Sequence, residues 1–215
     1  MPFFTHSHVE TIAEAKHRAI KELIDNSLHS KDFYVLLVGA VLLAAGGIFA
    51  DSIPVLIASM IVAPLAFPIL ALGLGITVGD MKLVGRVLGL LFVSCLLALG
   101  LAALMTIIFN NERVKDIYVT FTENQVLAVG VAVIAGAIAA YGTVRQKVAT
   151  AITGVAIAVS LMPPLVATGI GFASNDQDLT SHALTLFLLN VAGILVASIA
   201  TFTLFGMRKI YRTAR

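Results

Sequence analysis

The sequence predicts an all-α polytopic membrane protein: six transmembrane helices arranged as a 3+3 inverted repeat, two of them broken at prolines, preceded by an amphipathic helix. Three observations carry that prediction. Of 215 residues, 59% are hydrophobic and only 12% charged, with a mean hydropathy of +1.00, where soluble domains are roughly 25% charged. A globule of this size has too little interior to hide so much apolar surface, so lipid is the solvent for most of the chain. This excludes a soluble enzyme, a nucleic-acid module and a disordered chain. There are, moreover, six uncharged stretches long enough to cross a bilayer, and two of them carry prolines at corresponding places.

Residues 1–31 read as a cytoplasmic leader helix. Val9, Ile12, Ala13, Ala19, Ile20, Leu23, Ile24 and Leu28 recur with the spacing of one helical stripe, and Ser7 and Glu10 have the spacing of a capping box. Such a helix lies on the inner membrane surface or packs against a neighbouring subunit. His6, His8, His17 and His29 lack a two-histidine, one-carboxylate pattern and read as solvated rather than metal-binding. The leader is polar, without the basic start and short apolar core of a cleavable signal, so the first apolar run is expected to act as an uncleaved targeting signal.

The transmembrane domain spans 32–207, with uncharged runs at 33–50, 52–79, 87–111, 124–144, 148–175 and 183–207, and a basic tail follows at 208–215. Each run can cross a hydrocarbon core of about 30 Å at about 1.5 Å per residue. If all six cross, 12 of the 14 Lys and Arg fall on the side of the termini and only Arg113 and Lys115 on the other. That bias places both termini in the cytoplasm, with the protein in the cell membrane. The formal net charge of +2 makes no case for nucleic acid. Cys95, the single cysteine, sits in an apolar run and reads as a small buried hydrophobe.

The second and fifth runs, 52–79 and 148–175, are too long for straight helices: each would span about 42 Å and overshoot the core by about 12 Å. The second holds Pro64 and Pro68, then Gly73 and Gly75; the fifth holds Pro163 and Pro164, then Gly169 and Gly171. Proline removes an N–H and clashes with the carbonyl four residues back, so both helices are expected to break. The order long, broken, long therefore occurs twice. Because three crossings reverse the starting side, the two halves have opposite topology. The match aligns Ala63-Pro64-Leu65 with Pro163-Pro164-Leu165, with a Gly-x-Gly trailing each. Non-helical backbone at membrane depth is tolerated only where protein or water covers it. Paired breaks thus point to a midplane solute site, where half-helix N-termini favour anions and freed carbonyls favour cations. The bland alternative is a pair of packing kinks.

The residues around both breaks resemble a known family. Ser59-Met60-Ile61-Val62-Ala63-Pro64-Leu65-Ala66-Phe67-Pro68-Ile69-Leu70 with Gly73-Leu74-Gly75, then Gly154 to Pro164-Leu165 with Gly169, and Leu186-Phe187-Leu188-Leu189-Asn190 are similar to the bacterial and archaeal membrane family catalogued as domain of unknown function 389. The resemblance covers roughly 33–205 and implies a multi-span membrane protein, without implying a substrate. Many of its members carry a folded cytoplasmic domain before the first helix, where this sequence has the short leader.

No Asp, Glu, Lys, Arg or His lies in the central part of any run, so a side-chain proton relay is not expected. Hydroxyls, one amide and backbone remain. The candidate substrate-binding residues are Ser59, Ala63 and Pro64 at the first break, Ser160, Pro163, Pro164 and Thr168 at the second, and Asn190 in the sixth run. Gly73, Gly75, Gly169 and Gly171 are candidates for hinging or close backbone approach. For the hydroxyls and the amide the competing reading is a hydrogen bond within or between helices. Ala132, Gly136 and Ala140, Gly85 and Gly89, Gly154 and Ala158, and Gly193 and Ala197 recur every four residues and let helices approach closely, within a subunit or between subunits of a homo-oligomer. Asp176, Asp178 and His182 read as a solvated outer loop rather than a metal site. The expected function is a transporter or channel for a small solute or ion, a small anion being weakly favoured, without cofactor or metal. A membrane scaffold or sensor accessory is the first alternative. A lipid-modifying enzyme is the lesser one, because no nucleophile with a base is visible at the interface.

Overall fold

The computed structural model describes Lys21 and residues 30–109, 125–144 and 161–208. Among the described residues there are seven helices and no strand: α1 (Lys31–Phe49), α2 (Ile53–Val62), α3 (Ala66–Val78), α4 (Met81–Phe109), α5 (Gln125–Val144), α6 (Met162–Ala173) and α7 (Gln177–Leu204). Four of them, α1, α4, α5 and α7, are each long and apolar enough to cross a membrane, and α2 with α3 forms an apolar pair bent by 45°, the shape of a broken span or of a re-entrant loop. At 12 residues α6 is about 18 Å long, short of the roughly 30 Å core. The leader apart from Lys21, Ser30 and Lys31, the first part of the fifth run through Ser160, and the tail after Arg208 lie outside the described residues.

Side-chain caps set the starts of α1, α4 and α7. Ser30 Oγ accepts from Phe33 N at 3.0 Å to open α1. Asp80 Oδ1 accepts from the N–H groups of Lys82 and Leu83, both at 3.1 Å, ahead of α4, and Asp176 Oδ1 accepts from Leu179 N at 2.9 Å ahead of α7. Each carboxylate satisfies donors that the first turn leaves unpaired and sits at the positive end of the helix. Immediately before them stand two left-handed residues, Gly79 (φ 80) and Asn175 (φ 56), which reverse the chain. The hairpins α3–α4 and α6–α7 result. Both second helices begin six residues before the uncharged runs at 87 and 183, because the caps draw Lys82, Arg86, Asp178 and His182 into the first two turns of each helix. Their polar ends can stay in the headgroup region while the stems cover apolar surface.

Four helices form a closed ring. α3 packs on α4 and α7, and α6 packs on α7 and α4; the diagonal pairs α3/α6 and α4/α7 make at most marginal contact among the described residues. Around the ring, α1 lies against α2, α4 and α6, and α5 lies chiefly against α7. Two helices are the most deeply buried: α6 is buried continuously from Met162 to Gly171 and α3 from Pro68 to Gly75. By contrast α4 buries one stripe and turns Phe92, Leu96 and Leu104 outward, as α7 does with Leu188 and Val196. Such faces are what lipid covers.

Small residues set the α5–α7 crossing. A Cβ on Gly136 would stand 2.6 Å from Ile194 Cα, and one on Gly193 3.1 Å from Ala132 Cβ, so the two backbones approach as in small-residue membrane packing. Gly85 and Gly89 instead face outward, with nothing within 4 Å of the added atom. Gly154 and Ala158 lie outside the described residues.

Candidate functional site

The first break occupies Ala63, Pro64 and Leu65. Ala63, preceding a proline, is extended (φ −63, ψ 123), yet its N–H still reaches Ser59 O at 3.0 Å. Position 64 has no N–H, so the Met60 carbonyl loses the donor that a continuous helix would supply. The helix resumes after Leu65, whose carbonyl accepts from Ile69 N at 3.4 Å. Pro68 is the third residue of α3, where no intrahelical donor is needed and proline is tolerated. Ser59 is fully buried and its Oγ donates to Leu56 O at 2.6 Å. Ala63 and Pro64 are half-buried.

Pro163 and Pro164 are the second and third residues of α6. Leu161 caps the helix, and its carbonyl accepts from Leu165 N at 3.3 Å. Thr168 is buried, its Oγ1 donating to Pro164 O at 2.8 Å. Ser160 lies outside the described residues. This geometry corrects the expected alignment of the two prolines. Pro164 occupies the position of Pro68, inside the first turn, whereas Pro64 stands in the break itself. α2 touches α6, so the residues of the first break and those of Pro163, Pro164 and Thr168 belong to neighbouring helices.

All four candidate glycines are buried at close crossings. A Cβ on Gly73 would collide with Ser198 Oγ of α7, and one on Gly169 would stand 2.8 Å from both Ala102 Cβ and Leu99 O of α4. For Gly75 the obstacle is Val84 Cγ2 at 3.0 Å, and for Gly171 it is Thr180, Oγ1 at 2.7 Å and N at 2.9 Å. None of the four has a positive φ, so space rather than backbone conformation demands glycine here.

Asn190 is 2% exposed on the inner stripe of α7. Its depth follows from the hairpin. Gly171 and Thr180 meet near the turn; ten residues back from one is Leu161 and ten forward from the other is Asn190, so both stand about 15 Å from that contact. The same count from Gly75 and Val84 brings Leu65 level with Ser94. Ser94 is fully buried, its Oγ donating to Leu90 O at 2.7 Å. Sequence reasoning missed it, since it lies in a run without proline. Its signal is positional: it is the fourteenth residue of α4, as Asn190 is of α7.

The interior is polar at points and nowhere charged: the buried polar residues among those described are Ser59, Ser94, Thr106, Thr168, Asn190 and Ser198. Each of these hydroxyls gives its proton to a carbonyl three or four residues back in its own helix, leaving its oxygen lone pairs as acceptors. Such a site can hold a solute through oxygen acceptors, an amide and peptide dipoles, with no side-chain counter-charge.

A family model described as "Domain of unknown function (DUF389)" matches residues 60–196, from just before the first break into the second half of α7. An uncharacterized protein of Methanocaldococcus jannaschii is 30% identical over 182 residues, covering 83% of this chain and 55% of that protein. The chain thus spans about half the length of this curated relative. No solved structure matches. With the family model covering more than half of the sequence, the chain belongs to the DUF389 family.

Proposed function

We propose that this protein is an integral membrane transporter or channel for a small solute or ion, with its site at the depth where α2–α3 breaks and α6 begins. The observation that carries the reading is the bend at Ala63–Leu65 beside a half-length helix buried along its whole inner part. Irregular backbone in a bilayer interior is costly unless protein or a water-filled passage covers it, and half-helices of this kind supply peptide dipoles to a solute. Ser59, Ala63, Pro64, Ser160, Pro163, Pro164, Thr168 and Asn190 are the proposed lining. The positive ends of α3 and α6 make a small anion the first solute to test, although Pro68, Pro163 and Pro164 remove N–H donors from those ends. On this reading the halves form a 3+3 inverted repeat with both termini cytoplasmic, the protein works as a homo-oligomer in the cell membrane, and it is not an enzyme.

The test is flux from liposomes loaded with chloride, nitrate, potassium or urea, comparing wild type with Asn190→Ala. Flux of one solute that Asn190→Ala abolishes is the expected result. Release indistinguishable from protein-free vesicles for all four would refute transport of this class and favour the scaffold reading. A solute at 100 times its Kd should also stabilise the protein by about 2.7 kcal/mol, which a thermal scan resolves.

A further inference from the structure

The hairpins α3–α4 and α6–α7 repeat one another at a constant offset of 96 residues, the difference between 169 and 73. Leu65 and Leu161 are the N-caps of α3 and α6, with Pro68 and Pro164 third in each helix. Gly79 and Asn175 are the left-handed residues of the two turns. Asp80 N bonds Gly75 O at 3.0 Å, and Asp176 N bonds Gly171 O at 2.9 Å. Asp80 Oδ1 accepts from Leu83 N, and Asp176 Oδ1 from Leu179 N. Gly75 abuts Val84, and Gly171 abuts Thr180.

Contacts between the hairpins are reciprocal. Gly73 of α3 meets Ser198 of α7, while Gly169, its counterpart, meets Ala102 of α4, and Ala102 is the counterpart of Ser198. A contact that recurs with the two halves exchanged is what a two-fold axis produces and a simple translation does not. The exchange of contacts between helices, α3 on α7 and α6 on α4, is the one such an axis requires.

The same offset pairs the inner stripes. Leu83 matches Leu179, Val87 matches Ala183, Leu90 matches Leu186 and Ala98 matches Ile194, all apolar and all buried. Further along, Ala102 faces a polar counterpart in Ser198, and Thr106 an apolar one in Phe202. Only the pair Ser94 and Asn190 is polar in both halves, at the depth where α3 and α6 begin. Both halves carry a buried polar side chain at that one position of the stripe, although apolar residues serve on either side of it.

We infer that an internal pseudo-two-fold relates 65–109 to 161–205, and that Ser94 and Asn190 are its matched pair, lining one site beside the axis for a small polar solute held by hydrogen bonds. The inference rests on the solute-site reading above and adds Ser94 to it. Ser94 presents an oxygen whose proton is given to Leu90 O, and Asn190 carries an amide that both donates and accepts. No buried ionisable side chain among the described residues supplies a counter-charge, so hydrogen bonding rather than ion pairing selects the solute.

Thiol reactivity tests the pair without knowledge of the solute. In full-length protein carrying Cys95→Ala, reconstituted in vesicles, Ser94→Cys and Asn190→Cys are each treated with the water-soluble reagent 2-sulfonatoethyl methanethiosulfonate. Ala98→Cys and Ile194→Cys, one turn further along each stripe, serve as references. Both site cysteines should react at least about tenfold faster than their references, since thiol reactivity follows access to water. Reaction at one position alone, or at neither, overturns the pair. Should a single variant fail to fold, the exchange of Ser94→Asn with Asn190→Ser gives an independent readout. It should melt closer to wild type than either single substitution, because the axis returns the same two groups to one site; a double variant as low as the summed singles overturns the inference. Flux with both cysteines inert would keep transport and remove the pair, whereas two reactive cysteines without flux would keep the pair and remove transport.

Discussion

Replacing Gly73 by alanine puts a methyl group where Ser198 Oγ already lies, with Ser198 Cβ 3.2 Å from the new atom. Alanine gains about 1 kcal/mol of helix propensity over glycine, and overpacking costs about 1–3 kcal/mol. To make room, Ser198 must also rotate away from Leu195 O, which it bonds at 2.9 Å; such bonds in membrane bundles average about 0.6 kcal/mol. The expected net loss is about 1–2 kcal/mol. Ser198→Ala removes the obstructing oxygen and leaves only a Cβ–Cβ contact that a small shift relieves, so the double variant should lie within about 0.5 kcal/mol of Ser198→Ala alone, a coupling of about 1–2 kcal/mol. Gly169→Ala is the contrasting case. Its methyl meets Leu99 O at 2.8 Å and Leu99 Cα at 3.2 Å as well as Ala102 Cβ, and Ala102→Gly cannot move backbone. That second pair should show little rescue. Equilibrium unfolding in mixed micelles titrated with sodium dodecyl sulfate, followed by far-ultraviolet circular dichroism, reads all six variants. Wild-type stability for Gly73→Ala, or a rescue of Gly169→Ala by Ala102→Gly as complete as that of the first pair, would refute the packing argument.

Asp80→Ala and Asp176→Ala should each lower stability by about 1 kcal/mol in the same titration, because each carboxylate caps a ring helix. Gly79→Ala should cost roughly 1–2 kcal/mol for a left-handed residue with a Cβ, whereas Asn175→Gly should be neutral or stabilising, since glycine takes that conformation without strain. Pro64→Ala restores a donor to Met60 O and should straighten the 45° bend, lengthening the spin-label distance between the lipid-facing positions Ile57 and Ile76. Pro68→Ala should leave that distance unchanged, and equal distances for both variants would show that Pro64 does not hold the bend.

Much was legible in the order of residues. Charge-free length set lipid as the solvent, and Pro64 marked the break because a residue without an N–H cannot continue the ladder in any surroundings. The Gly-x-Gly pairs were visible, as was Asn190, an amide standing alone in an apolar run. These are properties a residue carries with it. Other features depend on what comes to lie beside a residue. Nothing in composition separates Gly73, pressed on Ser198, from Gly85, which faces open space. The starts of α4 and α7 moved outward past Lys82 and His182 because Asp80 and Asp176 found donors there. The match between the halves fell on Pro68 and Pro164 rather than on Pro64, because position in the helical turn, and not the proline itself, is what packing repeats. Ser94 became distinguishable from other serines only when the hairpin set it level with the start of α3, at the place in α4 that Asn190 holds in α7. Sequence thus determined the solvent and the break at Pro64, which are local chemistry; the tertiary structure decided faces and register, which arise from neighbours that the chain brings together from about a hundred residues away.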